Sequence, residues 1–194
     1  MCERHAWGWM VVESAFRGTF MHGPAVLYED LMGLAYAAFE IRGPMRRGRL
    51  RRRIDLKENC LMCEEGFGPH TKGFVKPQIV EQGRDFRNFL SFARKTMLYW
   101  RKTVCGQCSG DGSPVRCRRH LVQDESRGLV DGFSGPKALV SYIFHHLVIY
   151  ARSFQFELQG TQTTEDEAAL ISAVGWCSGW ELFLHIVDSA AEIG

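Results

Sequence analysis

No apolar run in the 194-residue sequence is long enough to cross a bilayer. The longest, residues 139–151, is about thirteen residues and carries His145 and His146. No basic region leads into an apolar stretch after the opening Met-Cys-Glu-Arg-His, so no secretory leader is expected. Together these absences point to a soluble, cytoplasmic chain without a membrane partner. Catalytic signatures are missing too. There is no phosphate-cradling glycine loop, no dinucleotide fingerprint, no nucleophile elbow, and no H-x-E or H-E-x-x-H pattern. Nothing therefore argues directly for an enzyme, and no catalytic residue is assigned. A strong net charge is also absent, with 24 Lys/Arg against 22 Asp/Glu. The balance conceals an asymmetry. Residues 1–120 hold 21 basic against 12 acidic side chains, and residues 121–194 hold 3 against 10. Such a split suits an anionic partner for the front half, or packing of the two halves on each other.

What is present supports a folded core. An apolar fraction of 45% and an aromatic fraction of 12% argue against disorder, and the length suits one domain over residues 1–194. The expected fold is mainly α, a single helical domain of about five helices with a zinc-stapled Cys/His segment over residues 54–121. Residues 1–20 fit a helix or a strand. A helix is expected from Pro24 to a stop at Gly43-Pro44, with Leu27, Leu31, Leu34, Ala35 and Ala38 facing the core. The arginine run 45–53 reads as a loop or exposed turn, followed by a glycine-rich stretch through Gly73. A second helix, about Arg84 to Lys102, has an apolar seam of Phe86, Leu90, Ala93, Met97 and Trp100. A third, about Pro136 to Leu158, is apolar on most sides and reads as the central core helix. The last is opened by a capping box of Thr164 and Glu167 and runs to about Asp188. Gly175 and Gly179 inside it allow close helix approach or a kink.

The chemistry lies in the cysteines. Six candidate ligands follow the pattern C-x2-C-x41-C-x2-C-x8-C-x2-H, from Cys60 and Cys63 through Cys105 and Cys108 to Cys117 and His120. A C-x-x-C turn presents two thiolates along one tetrahedral edge, and C-x-x-H does the same with a thiolate and an imidazole. Two edges complete a four-ligand site, so three edges leave one over. Cys105, Cys108, Cys117 and His120 would close a short, entropically cheap loop. Cys60 and Cys63 with Cys117 and His120 would clamp both ends of the second helix. The two C-x-x-C pairs could instead meet and take zinc or an iron–sulfur cluster. Structural zinc is favoured over catalytic zinc because no general-base motif accompanies the ligands. A redox-active or metal-handling protein using the spare C-x-x-C pair is the alternative.

Arginines form the second signal. Arg46, Arg47, Arg49, Arg51, Arg52 and Arg53 are close in sequence, and Arg87, Arg94 and Arg101 recur every seven residues. They suit contact with phosphates or acidic side chains, so an acidic protein or nucleic acid is the expected partner. A solvated face paired with the acidic back half is the plainer reading.

The early C-x-x-C, the late Cys117-Arg-Arg-His120-Leu121, and the helical stretches YARSFQFE and ALISAVGWCSGW resemble a bacterial all-helical family of uncharacterised activity. The resemblance covers most of residues 24–185 and implies one metal site built from Cys60, Cys63, Cys117 and His120. The Cys105-Gly-Gln-Cys108 pair departs from that family's pattern.

Overall fold

The computed structural model describes residues 1–18, 20–43, 45–55, 59–67 and 75–192. The expected helix stop at Pro44 and most of the glycine-rich stretch lie outside them. The chain is mainly α-helical, but the expected count of about five helices is wrong. Eleven α-helices and two short 3-10 turns occur among the described residues. In order these are α1 (Glu3–Arg17), α2 (His22–Phe39), α3 (Arg46–Ile54), α4 (Leu61–Glu64), α5 (Pro77–Gly83) and α6 (Arg87–Trp100). Then follow α7 (Gly106–Ser109), α8 (Arg118–Ser126), α9 (Ser134–Arg152), α10 (Thr164–Ser178) and α11 (Glu181–Glu192).

The excess has physical causes. Helices α4 and α7 have four residues each, too few to leave an apolar period in the sequence. The arginine run is helical rather than a loop. Leu50 and Ile54, four apart, anchor it to the core, while its arginines stay outside. The final helix is two helices, because Gly179 takes φ 117°, a conformation open to glycine, and ends α10. Residues 3–17 settle as a helix, with Ala6, Trp7, Met10, Val11 and Ser14 buried at helical spacing.

The central helix is α10, not α9. Every residue from Ala168 to Cys177 is buried, and α10 packs against α2, α6, α8 and α9. α9 buries one stripe, Val140, Ile143, Leu147, Tyr150 and Ala151, with Ile149 exposed. The seam on α6 is also shifted. Phe89, Phe92, Ala93, Thr96 and Trp100 face inward, while Phe86 and Met97 are exposed. On α2, Leu34 is 67% exposed, and Ala35 and Ala38 are buried.

An aromatic cluster joins α1, α6 and α11 with Trp180 in the link between α10 and α11. Trp7 stacks on Phe183 at 4.5 Å, and Trp100 meets the Phe183 ring edge-on at 4.9 Å. Trp7 Nε1–H donates to the Gly179 carbonyl at 2.9 Å, so the break between α10 and α11 is also an anchor for α1. A Cβ at Gly175 would run into the Trp180 ring, so glycine is required for that ring to cover α10. The capping box lies one residue earlier than expected. Thr163 Oγ1 accepts the Asp166 N–H at 3.2 Å, and Asp166 Oδ2 accepts the Thr163 N–H at 2.8 Å. Among the described residues no helix is long and apolar enough to cross a membrane.

Candidate metal centres

Four turns of one kind supply the functional side chains. Cys2, Cys60, Cys105 and Cys117 each stand at the N-cap of a helix, with extended ψ of 166°, 115°, 122° and 167°. Three residues on, in the first helical turn, stand His5, Cys63, Cys108 and His120. The backbone closes over each cysteine: the Ala6, Glu64, Ser109 and Leu121 N–H groups bond to the carbonyls of Cys2, Cys60, Cys105 and Cys117 at 2.8–3.0 Å. A C-x-x-C or C-x-x-H spacing thus folds into an N-terminal helical turn that puts both ligands at the positive end of the helix. That end favours the thiolate form.

The turns pair off. Cys2, His5, Cys60 and Cys63 form one group, and Cys105, Cys108, Cys117 and His120 form another; within each, the ligand atoms lie within 4.8 Å of one another. Each group can hold a metal ion, and each combines one C-x-x-H turn with one C-x-x-C turn. In the first centre, His5 Nδ1 is 3.3 Å from the sulfurs of Cys2 and Cys60 and 3.5 Å from that of Cys63. Cys2 and Cys63 are 3.8 Å apart, sulfur to sulfur. In the second, His120 Nδ1 is 3.2, 3.4 and 3.4 Å from the sulfurs of Cys105, Cys108 and Cys117, and Cys108 lies 3.9 Å from Cys117. A tetrahedral zinc ion with ordinary bond lengths needs ligand separations of about 3.8 Å between sulfurs and about 3.6 Å between sulfur and nitrogen. Both donor sets fit it.

Supporting contacts differ between the centres. His5 Nε2 lies 2.7 Å from the Phe67 carbonyl, so the ring proton is held there and the Nδ1 lone pair faces the sulfurs. At the second centre, Asp124 ties the loops together. Its carboxylate accepts Gln107 Nε2 at 2.9 Å and Arg116 Nε at 2.7 Å, and Arg116 also donates to the carbonyls of Ser113 and Val115. Gly106 donates its N–H to the Val115 carbonyl at 3.0 Å, and a Cβ there would collide with the Ser113 backbone. Only glycine allows that approach.

Exposure also separates them. Cys63 is exposed, and Cys2, His5 and Cys60 are half-buried. Cys105, Cys117 and His120 are buried, and Cys108 is half-buried. Without a metal, the thiols share charge unevenly. Hydrogen bonds from Cys108 and Cys117 hold the Cys105 thiol far below its ordinary value. Its thiolate pushes Cys108 up to about 11 and Cys117 higher still. At the first centre burial works to raise Cys60, but backbone bonds from Cys2 and Cys63 and the His5 contact bring it down to about 6.

All six sequence-assigned ligands lie in these centres, although no single site takes Cys60 and Cys63 together with Cys117 and His120. The edge left over in the sequence is completed by Cys2 and His5, which sequence reasoning missed. Their signal was available: Cys2-x-x-His5 has the same spacing as Cys117-x-x-His120.

The arginines are largely engaged. Arg46 donates to the Phe39 carbonyl, Arg47 to those of Val130 and Asp131, and Arg49 to that of Arg42. Arg51 lies 3.9 Å from Glu125. Arg87 pairs with Asp85, Arg94 donates to the Ala190 carbonyl, and Arg101 sits over the Trp100 ring. Arg52 and Arg53 are exposed, with no hydrogen-bond or ion-pair partner among the described residues. α3 packs on α2 and α8, whereas α6 packs on α1, α10 and α11, so the two arginine groups have different neighbours. The two adjacent histidines also diverge. His146 Nδ1 lies 2.6 Å from Asp166, and His145 Nδ1 lies 2.6 Å from the Ser141 carbonyl.

Compared with known proteins, the chain matches no family model, no curated protein and no solved structure. The resemblance to a bacterial family therefore reduces to an all-helical chain with an early and a late Cys/His group.

Proposed function

We propose that this is a non-enzymatic binding or accessory protein whose helices are fastened by two structural zinc ions, one in each Cys3His centre. The supporting observation is the recurrence of one donor set. Two groups far apart in sequence have the same composition, the same N-cap turns and separations that suit a tetrahedral ion. Four protein ligands leave no open coordination position, which favours a structural over a hydrolytic role. Zinc suits three thiolates and an imidazole better than an iron–sulfur cluster, which takes four thiolates. The spare C-x-x-C pair of the redox alternative is matched with Cys2 and His5, which weighs against a dedicated thiol–disulfide enzyme. The metal-binding part extends past residues 54–121 to the first residues described, within one domain.

The surface offered to an acidic partner is the outer face of α3, where Arg52 and Arg53 have no internal partner among the described residues. Several other basic side chains pair with the acidic back half: Arg51 with Glu125, Lys95 with Glu167, and Arg119 with Glu181. Two experiments test this reading. Stripping metal with a chelator should unfold the protein and return of zinc should refold it; equal melting in both states contradicts structural zinc. Arg52→Ala with Arg53→Ala should reduce the salt slope of nucleic-acid binding by up to about 0.9 for each phosphate that the two arginines had neutralised. An unchanged slope removes α3 as the docking face.

A further inference from the structure

We propose that Cys2 and Cys63 form an oxidation site, at which a peroxide joins the two sulfurs and frees the metal of the first centre while the second keeps its own. The release of metal rests on the two-zinc reading; the formation of the bond does not. Sulfur separation alone does not choose the site. It is 3.8 Å between Cys2 and Cys63, against 3.9 Å between Cys108 and Cys117. Exposure chooses it. Cys63 is the one exposed thiol of the seven, whereas Cys117 is 1% exposed and Cys105 fully buried. Peroxide reaches Cys63 directly from solvent, whereas at the second centre only Cys108 is partly exposed and its partner Cys117 is buried.

Freedom to move chooses the same site. A disulfide needs its sulfurs at about 2.05 Å, so one turn must shift. Cys63 lies in α4, a four-residue helix with no buried side chain, and its neighbours Leu61 and Met62 are 64% and 38% exposed. Its displacement opens no cavity in the core. At the second centre the same shift would break the bonds from Gln107 and Arg116 to Asp124 and force the Gly106 backbone against Ser113.

The chemistry balances. The Cys63 thiolate attacks one peroxide oxygen, the O–O bond breaks, hydroxide leaves, and Cys63 becomes a sulfenic acid. The Cys2 thiolate then attacks the Cys63 sulfur, forms the S–S bond and expels a second hydroxide. Two thiolates give up two electrons, one peroxide accepts them, and solvent protonates both hydroxides to water. Cys60 and His5 remain as two ligands, too few to retain zinc.

The test uses the protein as isolated. Metal content is measured first, hydrogen peroxide is then added in steps, released zinc is followed with a chromophoric chelator, and disulfides are mapped by mass spectrometry without reduction. The expected result is release of half the metal, a peptide pair linked through Cys2 and Cys63, and unmodified Cys105, Cys108 and Cys117. Reduction with added zinc should restore the starting state. A Cys108–Cys117 link forming first, or no Cys2–Cys63 link at the dose that releases metal, overturns the oxidation site. A chain holding fewer than two metals before peroxide counts against the zinc reading, and a Cys2–Cys63 link formed in such a chain still supports the oxidation site.

Discussion

Gly106 is placed where a side chain cannot go. It lies between two ligands of the buried centre, with its N–H bonded to Val115 and its α-carbon against the Ser113 backbone. Gly106→Ala must push the two ligand loops apart, and overpacking of this kind costs about 1–3 kcal/mol. The expected outcome is one metal per chain instead of two, read by elemental analysis; two tightly held metals in the variant would show that the loops tolerate the methyl group. Asp124 acts on the same loops from the other side. It is 7% exposed and receives Arg116 and Gln107, so Asp124→Ala leaves a half-buried guanidinium without its counter-charge. Breaking a buried pair of this kind costs about 3–5 kcal/mol, reduced here because Arg116 is partly solvated. Denaturant unfolding should show a lower midpoint at unchanged slope.

Among the helices, α10 is the most constrained. Gly175→Ala places a methyl group against the Trp180 ring and should destabilise by about 1–3 kcal/mol. A neutral result in thermal melting would mean that Trp180 has room to move. The start of α10 carries an acid-sensitive contact. Burial alone would raise the Asp166 carboxyl, but bonds from the Thr163 backbone, from His146 and from the Thr163 hydroxyl outweigh it and hold it below its ordinary 3.8. A carboxyl lowered by folding stabilises fully above that ordinary value, and the benefit is lost as pH falls through the lower folded value. Stability should therefore drop at acid pH, and Asp166→Asn should flatten that part of the profile. An identical pH profile in the variant would show that other groups set acid stability.

How much of this was legible in the sequence depends on length. α2, α6 and α9 are legible by their periodicity, although Leu34 on α2 and Phe86 and Met97 along the α6 seam, expected to face inward, are exposed. The cap of α10 was read one residue late because Thr163 and Thr164 are adjacent and either can head a box with an acid three residues on. α3 was missed because Gly48 and the neighbouring Gly43-Pro44 read as turn signals, whereas Leu50 and Ile54 decide the matter by burial. α4 and α7 carry no period, and their existence follows from the ligand turns.

For the molecule as a whole, the two Cys/His groups bring together segments distant in sequence. The first ties the start of α1 to α4, 55 residues on from His5 to Cys60. The second ties the end of the α6 segment to α8, which packs beneath α10. Three of the four ligand edges are legible in the sequence, and the fourth is obscured because residues 1–20 fit a helix or a strand and Cys2 and His5 lie far from the other cysteines. The charge asymmetry is answered in part between the two halves, through pairs such as Lys95 with Glu167 at 2.6 Å. Metal affinity at the second centre should fall as pH drops, because Cys108 and Cys117 must lose protons that the metal-free site holds tightly. Proton release on zinc uptake, followed in weak buffer, checks this; uptake without release would mean that the thiols are already ionised.

Elemental analysis of the purified chain, paired with a count of reactive thiols before and after chelation, bears most directly on the two fastened centres. The expected result is two zinc ions per chain, with Cys105, Cys108 and Cys117 protected until the metal is removed. A chain without metal whose thiols react freely while it stays folded and melts unchanged would contradict it.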